Sequence, residues 1–140
     1  MGVDGENLWA RKTKIQNRYF HYFHIVHGNQ TYLQKRDRTG IWKNLYEFPL
    51  IETEQPVDFP LLEQTDAFRQ LFSGITDLLI DPLLTVRHQL THQLIHTRFY
   101  RVVIPESSLF DPSRELLVIR QESLHDYPVS RLTHKYLETI

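Results

Sequence analysis

Arg18 to Val26 is the stretch that most limits what this chain can become. Tyr19, Phe20, Tyr22, Phe23, Ile25 and Val26 are aromatic or β-branched, the side chains that suit an extended backbone. Successive side chains of a strand point to opposite faces, and here both parities are apolar. Such a strand has no face to give to water, so it belongs in the middle of a sheet with a layer on each side. His27-Gly28-Asn29-Gln30 is a turn, and Thr31 to Gln34 reads as the returning strand of a hairpin.

The rest of the chain supplies partners for that strand. Gly40-Ile41-Trp42-Lys43-Asn44-Leu45-Tyr46-Glu47-Phe48-Pro49 is dense in aromatics. Gly40 suits a tight turn out of the charged run Lys35-Arg36-Asp37-Arg38. Trp42, Tyr46 and Phe48 are core anchors by size. Leu45 to Glu52 reads as strand around Pro49, which belongs at a strand end or edge. Glu54 to Pro60 holds two prolines and reads as a loop. Thr65 is placed to cap a helix through Leu71 and Phe72, with Ala67 and Phe68 on its inner side and Gly74 at its stop.

Leu84 to Thr91 alternates, with Leu84, Val86 and Leu90 on one face and Thr85, Arg87, Gln89 and Thr91 on the other. Arg98 to Ile104 is a second, more apolar strand, joined to the first through His92 to Thr97 and antiparallel to it. Pro105 to Ser113 reads as a surface loop and Leu116 to Arg120 as a last strand. Ser123 is placed to cap a short helical turn ending before Pro128. Ser130 caps a final helix whose stripe is Val129, Leu132, Tyr136, Leu137 and Ile140. The order implies one α+β domain: a mixed or antiparallel sheet covered by helices.

Composition narrows the chemistry. A chain of 140 residues is long enough to bury a core. Sixteen basic and seventeen acidic residues leave a net charge of −1, so a nucleic-acid role must rest on a local patch or a partner's charge. The chain has no cysteine, which removes disulfides, thiolate nucleophiles and cysteine-held iron–sulfur clusters from it. No apolar run reaches the roughly 20 residues of a membrane span. Arg11-Lys12-Thr13-Lys14 is a short basic run suited to a linker or to phosphate contact. His88, His92 and His96 recur every four residues, and His21, His24 and His27 every three. Histidine alone at such spacings is weak ground for a metal site, and His21 and His24 would face opposite ways on a strand. No phosphate-cradling glycine loop and no G-x-S-x-G elbow is present.

The Trp42 stretch resembles the G-[IL]-W-x-x-L-[WY]-E-F-P signature in the C-terminal domain of the MutY-type adenine DNA glycosylases. The likeness runs from about Lys12 to the end, through Thr13-Lys14, Tyr19-Phe20, His88-Gln89-Leu90-Thr91-His92 and Tyr127-Pro128-Val129-Ser130-Arg131-Leu132. It implies a Nudix (MutT-like) fold, a mixed sheet flanked by helices as an α/β/α sandwich, over residues 12–140. Residues 1–11 are expected to be a flexible lead-in or expression remnant. A true Nudix hydrolase holds magnesium on a glutamate-rich helix. The candidate helix here, Thr65 to Phe72, offers Asp66 with Glu63 just before it and lacks R-E-x-x-E-E.

The resemblance implies a domain that reads 8-oxoguanine opposite adenine in double-stranded DNA. The catalytic helical domain and its iron–sulfur cluster would lie outside this chain, leaving no catalytic residue, metal or cofactor here. The implied setting is the cytoplasm of a bacterium, at its nucleoid. Leu90-Thr91-His92 matches the family's lesion-reading F-S-H triplet by position. Oxidation at C8 turns the N7 acceptor of guanine into an N–H donor and adds a carbonyl oxygen. A hydroxyl can accept from N7–H, and it or a nearby amide can donate to the new oxygen. By that resemblance Thr91 is the expected sensor, Leu90 packs beside the base, His92 supports the loop or touches the backbone, and His88 is expected among the residues that bind the DNA or the lesion. Two alternatives are a Nudix-type hydrolase of oxidised nucleotides and a non-catalytic protein-interaction module.

Overall fold

The computed structural model describes residues 14–112 and 114–140. The expected lead-in and most of the basic run, Arg11 to Thr13, lie outside them. The central strand is β1 (Gln16–His27), and Gly28 turns the chain at φ 60° into β2 (Gln30–Lys35). The expected single strand around Pro49 is two, β3 (Tyr46–Glu47) and β4 (Leu50–Thr53). Proline cannot donate to a ladder, so the chain breaks there and the pieces pair with different neighbours, β3 with β2 and β4 with β1.

Helices α1 (Phe59–Glu63) and α2 (Asp66–Leu71) follow. Thr65 caps α2 as its sequence implies, accepting from the Phe68 amide, and Gly74 turns out of it at φ 80°. The expected loop to Pro60 ends early because Asp58 caps α1 and proline is tolerated in a first turn. A five-residue helix shows too little periodicity to be read in advance.

The long hairpin is β5 (Leu79–Gln89) and β6 (Gln93–Ile104), antiparallel as expected. Its connection is only Leu90 to His92. His92 to Thr97 is therefore not the expected connector, since β6 already begins at Gln93. β5 also starts five residues earlier than its alternation suggests. An irregularity between Pro82 and Leu84 inserts Leu83 and reverses the parity, so Ile80 packs on one core and Val86 on the other.

The chain closes with β7 (Leu117–Arg120), a 3₁₀ turn (Gln121–Asp126) and α3 (Arg131–Leu137). Ser130 caps α3 by accepting from the Thr133 amide. Ser123 caps nothing; it lies inside the turn, which has no side-chain cap. Leu132, Tyr136 and Leu137 form the buried stripe, whereas Ile140 lies past the helix and is 56% exposed.

One seven-stranded mixed sheet results, in the order β3-β2-β1-β6-β5, with β4 on β1 and β7 on β2 off that path. β1 runs parallel to β6 from Gln16↔Gln93 to His27↔Ile104. Its two apolar parities are answered by two cores. Phe20 and Tyr22 pack with Phe48, Phe99, Leu132 and Tyr136 under α3. Phe23 and Ile25 pack with Leu62, Phe68, Phe72 and Tyr100 under α1 and α2.

His21 and His24 do face opposite ways, and both are buried. His21 Nε2 lies 3.0 Å from Thr53 Oγ1, whose own proton goes to the Gln55 carbonyl at 2.8 Å. Burial, aided by the nearby Arg98 charge, pushes His21 down to about 4, and burial likewise lowers His24. Below the unfolded value near 6.5 the unfolded chain takes up protons that the native chain refuses. Stability is therefore full above that value and falls as pH drops toward 4. His21 alone should cost about 2 kcal/mol by pH 5. Denaturant midpoints at pH 7 and pH 5 check this, and His21→Phe should remove its share of the difference.

Candidate nucleic-acid interface

The turn from β5 to β6 is short and braced. The Leu90 amide donates to the Gln93 carbonyl at 2.7 Å. Gln89 Nε2 crosses the turn and donates to the Leu90 carbonyl at 2.7 Å and the Gln93 carbonyl at 3.3 Å. The Gln16 amide donates to the His92 carbonyl at 3.0 Å, tying the turn to the start of β1. With the backbone held this way, the Thr91 and His92 side chains stand exposed at the tip. Among the described residues the Thr91 hydroxyl takes part in no hydrogen bond, so its donor and both its acceptor sites are open.

The four expected site residues take different places. Thr91 and His92 form the tip, beyond the strand rather than within it. Leu90 is half-buried and roots the turn in the core under α3. His88 sits one step below, half-buried, its ring 6.1 Å from that of Trp42. His96 is on the other face, stacked on Tyr19 at 4.8 Å, so the three regularly spaced histidines do not converge.

Trp42 was expected as a core anchor, but its backbone is unusual. Gly40, Trp42 and Asn44 have φ of 81°, 53° and 64°. Glycine and asparagine take this region readily, whereas a bulky residue does so at a cost of about 1–3 kcal/mol. Neighbours hold Trp42 in place. Its ring meets Phe20 edge-on at 6.0 Å, and the Arg36 guanidinium lies 6.0 Å from its centroid. Arg36 Nε also donates to the Ile41 carbonyl at 3.1 Å.

Arg36 is itself anchored by Glu47, which is buried. Glu47 accepts from Arg36 Nη1 at 3.1 Å, from the Tyr22 hydroxyl at 2.7 Å and from Gln34 Nε2 at 2.8 Å. Burial, reinforced by the Glu47 charge, pushes the Tyr22 hydroxyl well above its ordinary value and keeps it a donor. The Tyr46 amide donates to the Pro128 carbonyl at 2.8 Å, and the Tyr46 and Tyr127 rings meet edge-on at 5.1 Å. Three separated stretches, around Trp42, Thr91 and Tyr127, thus meet on one core. The Glu47 network and the Gln89 brace were not read from the sequence. An acid set between two aromatics, with a basic run eleven residues earlier, was the available signal for the first.

A Nudix magnesium site would need several carboxylates from the helix after β4. Glu63 and Asp66 are exposed, and α2 spans only six residues. Among the described residues no three of His, Cys, Asp or Glu gather closely enough to hold a metal ion. The side chains present do not fit that ion.

The NUDIX domain model matches residues 21–139. No curated protein matches the chain. Among solved structures, the C-terminal domain of mouse MUTYH, in its complex with human PCNA, superposes with a TM-score of 0.63 at 14% identity, covering 86% of this chain and 85% of that one. The E. coli ORF135 protein gives 0.60 at 14% identity over 89% and 88%. RenU, a Nudix hydrolase from M. smegmatis, gives 0.51 at 12% identity over 91% and 88%. Likeness at such identities is one of fold. The family match extends over most of the chain, across both cores and α3, and the chain belongs to the NUDIX domain family.

Proposed function

We propose that this domain reads 8-oxoguanine opposite adenine for an adenine DNA glycosylase whose catalytic domain is a separate unit. The observation that supports the reading is the Thr91 hydroxyl, exposed at the tip of a braced turn and without a hydrogen bond among the described residues. Thr91 Oγ1 accepts from N7–H of the lesion, and its own proton or a turn amide serves the new C8 oxygen. Leu90 and the Trp42–His88 pair support the turn from below. The Trp42 signature and the fold shared with the mouse MUTYH domain support the same reading. The division of labour follows from the chemistry, because a base must leave the stack to be cut whereas its partner can be read in place.

The test is Thr91→Ala with this domain joined to its catalytic partner. Discrimination between 8-oxoguanine:adenine and guanine:adenine duplexes should fall by about 1–3 kcal/mol, as for other base-edge contacts. Thr91→Ser should retain it. The isolated domain should cut no glycosidic bond. Unchanged discrimination in Thr91→Ala would favour the second reading, a protein-interaction module. That reading draws on the mouse domain having been captured with PCNA.

A further inference from the structure

Gln93 follows the turn directly and opens β6. Its backbone carbonyl takes the two turn bonds, but its half-buried side chain has a partner of its own. Gln93 Oε1 accepts from Arg18 Nη1 at 3.1 Å. Arg18 comes from β1, and its guanidinium lies 5.0 Å from the centroid of Phe20, the ring that Trp42 meets edge-on. The rest of that guanidinium is held in a fork. Nε and Nη2 donate to the two oxygens of Glu52 on β4, at 2.8 and 2.7 Å. A forked pair of this kind fixes the plane of the guanidinium as well as its place.

This arrangement decides which end of the Gln93 carboxamide is free. A guanidinium only donates, so the atom that faces it must be the oxygen. Nε2 is the other end, with two protons and no hydrogen bond among the described residues. It is also within reach of solvent. The described side-chain polar atoms that are buried without a partner are His21 Nδ1, Thr31 Oγ1 and Thr97 Oγ1. The root of the turn thus presents a donor of fixed orientation, two residues along the chain from the Thr91 hydroxyl.

We propose that Gln93 is a second specificity-determining contact: Nε2–H donates to the C8 oxygen of 8-oxoguanine while Thr91 Oγ1 accepts from N7–H. The inference rests on the lesion reading assigned to Thr91 and extends it to a second side chain. The lesion differs from guanine at two adjacent atoms, one a new donor and the other a new acceptor. A hydroxyl has one proton on a freely rotating bond, whereas the Gln93 carboxamide is held in one orientation by Arg18. Guanine carries C–H where the lesion carries the new oxygen, so it leaves the Gln93 donor without an acceptor.

The experiment is an NMR titration of the 140-residue chain with two DNA duplexes that differ only in carrying 8-oxoguanine or guanine opposite adenine. The Gln93 side-chain amide protons should shift downfield and saturate with the lesion duplex, which should bind about tenfold or more tightly than the other. Gln93→Glu is the deciding variant. It keeps the shape and gives Arg18 a charged acceptor, so a residue that only braced the turn would tolerate it. It removes the donor, so the preference for the lesion should fall about tenfold with the Leu90 amide resonance in place. Thr91→Ala separates this contact from the reading it rests on. A preference that Thr91→Ala lowers and Gln93→Glu leaves intact overturns the Gln93 contact alone. A preference that neither variant lowers, or no saturable shift with either duplex, overturns the contact together with the reading of the turn.

Discussion

Glu47→Ala is expected to lower folding stability by about 3–5 kcal/mol, the cost of removing one partner from a buried ion pair. The substitution strands three donors at once: Arg36 Nη1, the Tyr22 hydroxyl and Gln34 Nε2. Arg36 is only 15% exposed in its side chain, so water cannot readily replace the carboxylate. A small domain has about 5–15 kcal/mol in all, so the loss is a large fraction of it. Glu47→Gln keeps the shape and an acceptor for Tyr22 while removing the charge, and should cost less. Denaturant unfolding compares the two; equal and small losses would show that the carboxylate is not the anchor. The change should also reach the surface. Arg36 holds the Ile41 carbonyl and borders Trp42, so the Trp42 indole resonance should broaden or shift before the protein unfolds.

Tyr136→Ala is expected to cost about 3–5 kcal/mol, the range for truncating a large buried aromatic. Tyr136 is fully buried and stacks on Phe99 at 4.6 Å with the rings 6° apart. It also meets Phe48 and His24 edge-on. Its hydroxyl adds a separate effect. Gln121 donates through Nε2 to the Ile25 and Gln30 carbonyls, so its oxygen accepts from His24 Nε2–H. His24 Nδ1 must then accept from Tyr136, at 2.8 Å. Tyr136→Phe keeps the stack and leaves that nitrogen unpaired, at about 1–3 kcal/mol. Measuring both variants separates ring from hydroxyl, and a Phe variant as stable as the parent would mean His24 finds another donor.

The large features were legible because they are written in side-chain period and in caps. Both-parity apolar β1 required two cores, and both are present. Thr65 and Ser130 announced their helices, since a hydroxyl before an apolar run has one obvious use. What stayed hidden depends on partners distant in sequence. Leu79 to Pro82 does not read as strand because the inserted Leu83 breaks the alternation and Pro82 argues against it. β6 begins at Gln93 because β1 offers it a parallel neighbour, which nothing within His92 to Thr97 encodes. For the site, the positions of Leu90, Thr91, His92 and His88 were marked by motif alone. The exposure of Thr91 and His92 at a braced tip depends on Gln89 and Gln16, whose roles appear only once the hairpin has closed.

Leu83 has one more consequence. Deleting it would set Pro82 directly before Leu84 against Tyr100 and Phe99, which are already adjacent, so the ladder would close without interruption. Every other residue of β5 would keep its partner and its face. What the extra residue contributes is thus a local bend and added twist between the two halves of the hairpin, rather than the sidedness of either half.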